Sequence, residues 1–294
     1  MCTILKYKGM VGRNFDYEVS YKEEIRTIER NEYDNKYSMI GVCTGAVTDY
    51  PLLYDGMNEY GLVCGGLAFT GNAKYQRYQE DKLNIPSFDF TFQVLGNNKS
   101  VNEAREWLSD VSIWCEPYSD EIKNSDLHWF LADKNEAIII EQTIDGLNIY
   151  DAKTNVMTNN PPYPEQLLNC VSNKMIGKIH PLMSTIQKKE WLSRGRETDG
   201  LGGGYSSDER FEKVSYLVDR MSKVDNPYSG VAETFHILES VLQPIGLTPV
   251  NDKFEYTIYS VVYDIERCVM WIKTYDKICP NNYMIAGSER IQLC

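Results

Sequence analysis

The sequence predicts an α+β fold of sheets and helices packed in layers. Strand-like segments come in runs, helices with one apolar face stand apart from them, and the strand–helix–strand alternation of a parallel α/β sheet is missing. No linker, repeat or low-complexity stretch divides the 294 residues, so 1–294 reads as a single domain.

The elements follow in order. Residues 3–8 and 10–17 read as a hairpin turning at Gly9, which places Cys2 beside a strand carrying Arg13 and Asp16. Residues 37–44 and 60–69 have strand composition. Between them Asp49-Tyr50-Pro51 and Asp55-Gly56 read as turns. From Pro86 the pattern turns helical, and Ser100 with Glu103 forms a capping box ahead of Val101, Ala104 and Leu108. Strand character returns at 127–132, 137–143 and 147–150, and residues 155–162 read as a strand running into a proline-stopped turn. Residues 164–175 read as a helix. The glycine-rich stretch 193–205, with Gly200, Gly202, Gly203 and Gly204, lacks the Gly-Lys-Ser/Thr ending of a phosphate loop. A helix follows from Ser207, capped by Ser206 and Glu209, with Phe211, Val214, Val218 and Met221 as its buried stripe. Another near 229–242 buries Val231, Phe235, Leu238 and Leu242, and 254–264 with 268–275 read as a closing hairpin.

Composition removes several functions. With 42 acidic and 30 basic side chains the formal charge is −12, which denies the chain the positive field of a general nucleic-acid binder. The eight cysteines (Cys2, Cys43, Cys64, Cys115, Cys170, Cys268, Cys279 and Cys294) form no CxxC pair, and only His128, His180 and His236 accompany them, so neither a zinc site nor a disulfide framework is expected. No apolar run approaches the roughly 20 residues of a spanning helix, and the start lacks a signal-peptide pattern. A cytoplasmic protein with reduced thiols and no membrane partner is the expectation.

Cys2 carries the functional reading. Once the initiator methionine is removed, Cys2 holds a thiol and a free α-amine on one residue. The two groups titrate within about one unit of each other, so the amine can take the thiol proton at little cost. The nucleophile then brings its own base.

Five stretches together resemble the choloylglycine hydrolase family of conjugated bile acid hydrolases and penicillin V acylases: Met1-Cys2-Thr3, 12–16 (GRNFD), 55–62 (DGMNEYGL), 157–161 (MTNNP) and 200–211 (GLGGGYSSDERF). One such piece occurs readily by chance; five in order, the first at residue 2, do not. The resemblance implies a four-layer α/β/β/α N-terminal nucleophile hydrolase sandwich of two antiparallel sheets. It also implies hydrolysis of a linear amide bond without metal or cofactor, by acyl transfer to Cys2. Asp16 would orient the α-amine, and Arg13 would favour the thiolate. Asn159 would donate to the tetrahedral oxyanion, Asn160 would serve the turn, and Arg210 would stand beside the nucleophile. An arginine in a first helical turn opposes the helix dipole, so local propensity does not explain Arg210.

One position departs from the pattern. After Gly66-Leu67 the family commonly has Asn in bile acid hydrolases and Tyr in penicillin V acylases, and here Ala68 stands. Alanine keeps a backbone N–H for the oxyanion and loses any side-chain contact to substrate. Phe15 and Tyr17, pointing away from Asp16 by strand alternation, are candidates for the pocket wall. The expected partner is a small N-acyl amide with a bulky apolar acyl part. Its leaving part stays open among glycine, taurine, aminopenicillanate and homoserine lactone. A glutamine amidotransferase domain also begins Met-Cys, but this chain has no room for a synthase partner domain. A binding protein that kept the fold and lost activity, or an N-acyl amide or homoserine lactone acylase, is the alternative. The resemblance further implies a homotetramer, with 165–205 as the segment reaching between subunits.

Overall fold

The structure, a computed structural model, describes residues 1–45, 49–120, 122, 124–177, 198, 201–285 and 290–293. His180, Gly200, Cys294 and most of the segments 165–205 and 193–205 singled out above lie partly or wholly outside the described residues.

The chain opens with β1 (Cys2–Tyr7) and β2 (Met10–Tyr17), the expected hairpin, turning through Lys8 and Gly9 at φ of 44° and 77°. They form one antiparallel sheet with β12 (Val156–Met157), β14 (Lys253–Asp264), β15 (Val269–Thr274) and β16 (Asn281–Met284), in the order β12-β1-β2-β14-β15-β16. A short β13 (Thr248–Val250) pairs with β14. The second antiparallel sheet runs β11 (Gly146–Asp151), β10 (Ala137–Thr143), β9 (Leu127–Ala132), β6 (Val63–Ala68), β5 (Leu53–Asn58), β4 (Met39–Cys43), β3 (Glu24–Ile28) and β17 (Arg290–Gln292). A separate parallel pair joins β7 (Leu83–Pro86) to β8 (Val111–Trp114).

Helices cover both outer faces. On the second sheet lie α1 (Phe90–Asn97) and α2 (Val101–Leu108), which bury Phe90, Val94, Leu95 and Leu108 against Met39, Cys64, Leu131 and Ile138. On the first sheet lie α3 (Tyr163–Gly177), α4 (Ser207–Ser222) and α5 (Gly230–Glu239), with Phe211, Val214, Phe235 and Leu238 packed into the same core as Leu5, Val11 and Val262. This is the expected four-layer sandwich. Both serines cap as expected, Ser100 accepting from the Glu103 N–H and Ser206 from the Glu209 N–H, while the glutamates reach back to the Lys99 N–H and to Ser206 Oγ. Glu209 also receives the Gly204 N–H at 3.3 Å, so the end of the glycine-rich stretch serves a helix start.

Several boundaries differ from the sequence reading. The helical segment begins at Phe90, and Pro86 instead ends β7. Asp55-Gly56 is no turn; it lies inside β5. Two glycines face each other there, Gly41 on β4 opposite Gly56, and Leu95 of α1 lies against Gly56. The pair marks helix-on-sheet packing, which locally resembles turn chemistry. The strand expected from residue 60 begins at Val63, after a turn at Glu59-Tyr60. The last helix stops at Glu239, so Val241 is buried where Leu242 was expected.

Candidate active site

Cys2 stands opposite Phe15 in the β1–β2 ladder, and Ile4 stands opposite Arg13. Cross-strand partners share a face, so Cys2, Arg13 and Phe15 look toward the second sheet while Thr3, Asn14 and Asp16 look toward the helices. Close approach of the two sheets is possible because Gly65 on β6 has no side chain: a Cβ there would meet Ile4 Cδ1 at 2.8 Å and Arg13 Nη1 at 3.7 Å.

Arg13 is buried and bridges two groups. Its Nη1 donates to Asp55 Oδ2 and to the Tyr54 carbonyl, each at 2.6 Å, and its Nη2 donates to the Gly66 carbonyl at 2.6 Å and reaches Cys2 Sγ at 3.8 Å. Burial opposes the guanidinium charge, but the anionic groups around it outweigh burial and hold Arg13 above its usual range.

Asp16 is fixed by two donors, Thr257 Oγ1 at 2.6 Å and Gln243 Nε2 at 3.0 Å. Its carbonyl, rather than its carboxylate, accepts the Met1 amine at 3.0 Å and the Cys2 thiol at 3.9 Å. The Met1 amine also meets the buried Glu255 carboxylate. The Cys2 backbone nitrogen donates to Asn159 Oδ1 at 2.6 Å.

Asn159 follows β12, and its turn is braced by Gln166 of α3, which donates to the Asn159 and Pro161 carbonyls at 2.6 and 2.9 Å. Asn160 ties the same turn to Thr70 and Asn72. Asn159 Nδ2 donates to the Ala68 carbonyl at 2.9 Å. Antiparallel strands alternate which residues bond to a given neighbour. Phe69 donates to Asp126, beyond the end of β9, and Leu127, opposite Ala68, donates to Tyr75 Oη at 2.7 Å. The backbone of Ala68 therefore faces away from β9, toward Asn159.

Arg210, on the first turn of α4, is fully buried. Its Nη1 donates to the Cys2 carbonyl and to Thr3 Oγ1, each at 2.6 Å, and its Nη2 donates to Asn159 Oδ1 at 3.0 Å. Burial pulls its ionisation below the usual range, countered by the charges of Asp16 and Cys2. Among the described residues no carboxylate forms an ion pair with it, in contrast to Arg13.

The five sequence candidates thus converge: Cys2, Arg13, Asp16, Asn159 and Arg210, with Ala68 beside them. Phe15 is buried between Tyr54 and Tyr259, with ring centroids at 4.8 and 5.0 Å, so it belongs to the core behind the thiol. Tyr17 is partly exposed and leans on the exposed Tyr21 at 5.7 Å. Sequence reading missed Asp55, Tyr259, Tyr263, Gln243 and Thr257. Only Asp55 carried a signal, as the first residue of the DGMNEYGL stretch. Among the described residues no three His, Cys, Asp or Glu side chains gather as metal ligands.

Two antiparallel sheets between helix layers, with the first strand carrying a cysteine between two guanidinium groups, define the N-terminal nucleophile hydrolase fold. The chain belongs to the choloylglycine hydrolase family of linear amide C–N hydrolases, whose family model matches residues 2–286. It is a hydrolase of linear amide carbon–nitrogen bonds. It is 38% identical to a bile salt hydrolase/transferase of Lactiplantibacillus plantarum over 94% of this chain and 90% of that one. A bile salt hydrolase/transferase of Clostridium perfringens is 34% identical, with the same shares covered. The crystal structure of the C2A mutant of conjugated bile acid hydrolase from Clostridium perfringens superposes with a TM-score of 0.87 at 30% identity, covering 99% of this chain and 96% of that one. Penicillin V acylase from Agrobacterium tumefaciens shares the fold, with a TM-score of 0.71 at 21% identity over 96% of this chain and 84% of that one.

Proposed function

We propose that this enzyme hydrolyses conjugated bile acids, with Cys2 as the nucleophile after removal of Met1. The observation that carries the reading is the setting of Cys2 Sγ, 3.8 Å from Arg13 Nη2 on a residue whose carbonyl Arg210 holds at 2.6 Å. Arg13 turns Nη2 away from Asp55 toward the sulfur, and Arg210, countered by the charge of Asp16 but without an ion pair among the described residues, holds the Cys2 carbonyl, so both guanidinium groups favour a thiolate on this residue.

The α-amine of Cys2 accepts the thiol proton, and Asn159 Oδ1, already on that nitrogen, together with the nearby Asp16, orients it. The thiolate attacks the amide carbon and forms a C–S bond. The carbonyl oxygen becomes an oxyanion, received by the second Nδ2 hydrogen of Asn159 and the backbone N–H of Ala68. The α-ammonium then gives its proton to the leaving nitrogen, the C–N bond breaks, and the amine departs. Water attacks the thioester with the α-amine as base and releases the acyl group as a carboxylic acid. Tyr17 and Tyr21 offer apolar surface at the edge of the site for the acyl part. Conjugated bile acids are taken ahead of penicillin V because the relatives named for bile salts are 38% and 34% identical to this chain.

The remaining expectations form part of the same proposal: one domain over 1–294, residence in the cytoplasm, and a homotetramer. Among the described residues no helix is long and apolar enough to cross a membrane. Incubation with glycine- and taurine-conjugated bile acids and with penicillin V tests the substrate. Release of glycine or taurine supports it, and cleavage of penicillin V alone overturns it. Light scattering of the purified protein tests the tetramer.

A further inference from the structure

Behind Arg13 lies a charge cluster that the mechanism above does not use. Asp55, on β5, is fully buried. Its Oδ2 accepts from Arg13 Nη1 at 2.6 Å and from Tyr259 Oη at 2.5 Å, and its Oδ1 accepts from Tyr263 Oη. The two tyrosines straddle Val261, the residue of β14 paired with Arg13, and converge on one carboxylate from both sides. Burial, and then the charge of Asp55, push both phenols well above their usual range, so they remain donors across the working pH.

A buried guanidinium paired one-to-one with a bare carboxylate is a neutral unit and leaves little field for a third group. Here Arg13 faces the carboxylate with Nη1 and the thiol with Nη2. Two charge-assisted hydrogen bonds draw the carboxylate's negative charge onto phenol oxygens. Phenylalanines would fill nearly the same volume without doing so.

We propose that Tyr259 and Tyr263 are positioning residues that damp the charge of Asp55, so that Arg13 keeps its positive charge for the Cys2 thiolate. The proposal rests on the reading of Cys2 as the nucleophile. The other ionisable groups facing this pair are the α-amine of Cys2 itself, held on Asn159 Oδ1 and common to every variant, Arg210, Asp16 and Tyr17 around Cys2, and Cys64 behind Asp55. Burial pushes the Cys64 thiol up to about 12, which keeps it neutral through the range of interest.

The test is the rate of iodoacetamide alkylation at Cys2, followed by peptide mass in the processed enzyme from about pH 5 to 10. Tyr259→Phe and Tyr263→Phe each slow alkylation about three- to tenfold at pH 7 and leave it unchanged at pH 10, because the proposed effect acts on formation of the thiolate and not on access to the sulfur. Asp55→Asn has the opposite sign and speeds alkylation at acid pH; should that variant fail to fold, the tyrosine variants decide. A rate in the tyrosine variants that matches the native enzyme at all pH values, or that falls equally at pH 7 and pH 10, overturns the proposal. Failure of the underlying reading is seen separately: native Cys2 would then be no more reactive than the exposed Cys115 and Cys279.

Discussion

Asn159 accepts the Cys2 backbone N–H through its side-chain oxygen at 2.6 Å, across 157 residues of chain. The same oxygen accepts Arg210 Nη2 at 3.0 Å, so two donors fix which end of the amide turns toward Cys2. The nitrogen end carries two hydrogens. One is committed to the Ala68 carbonyl at 2.9 Å, and the other is the donor assigned to the oxyanion.

Asn159→Ala is therefore expected to lower kcat by about 10²- to 10³-fold with KM within a few-fold of native, as removal of one oxyanion donor does elsewhere. Asn159→Asp keeps the acceptor for the Cys2 nitrogen and loses the donor, and should be as slow. Steady-state kinetics on a conjugated bile acid decide, and a kcat within a few-fold of native in both variants would contradict the assignment.

Arg13→Met leaves Asp55 buried with its ion-pair partner gone. Breaking a buried pair from one side costs about 3–5 kcal/mol. Arg30, half exposed in its pair with Glu59 at 2.6 Å, is the control, and Arg30→Met should change stability far less, because solvent screens that pair. Urea unfolding of both variants checks the contrast. Equal losses would show that Asp55 does not depend on Arg13.

Stability should fall in alkali. The folded value of Cys64 is raised by burial from 9.0 to about 12, so its contribution is complete below about pH 9 and is lost as pH rises through that window. Each pH unit there removes about 1.4 kcal/mol for this one group, and the raised phenols of Tyr259 and Tyr263 add their own loss from about pH 10 upward. Urea midpoints measured from pH 8 to 11 should be flat at first and then decline. In Cys64→Ala the decline above pH 9 should be shallower, with Cys268, whose thiol burial also raises, still contributing, and a flat profile for the native chain would refute the sign.

What was legible in the sequence was local. Gly9 announced the opening hairpin, and Ser100-Glu103 and Ser206-Glu209 announced two helix starts, because each depends on residues a few positions apart. Cys2, Arg13 and Asp16 could be placed together for the same reason. Asn159 and Arg210 entered through resemblance, since nothing in their own neighbourhoods aims them at residue 2. The supports behind them stayed hidden. Thr257 and Gln243 reach Asp16 across 241 and 227 residues, and Tyr259 reaches Asp55 across 204, through the pairing of β14 with β2 and the stacking of two sheets. Asp55 was visible as a residue and misplaced as structure, because Asp-Gly is turn chemistry when read locally and glycine-on-glycine packing when a helix lies above it.

The central claim is that Cys2, freed of Met1, is the nucleophile. The most direct measurement is the intact mass and N-terminal sequence of the purified native chain and of Cys2→Ala, each with the rate of amine release from glycine- and taurine-conjugated bile acids. The expected result is a native chain beginning at Cys2 that releases the amine, and a folded Cys2→Ala protein that releases none. A native chain that retains Met1 and still hydrolyses the amide, or a Cys2→Ala protein that turns over at the native rate, would contradict it.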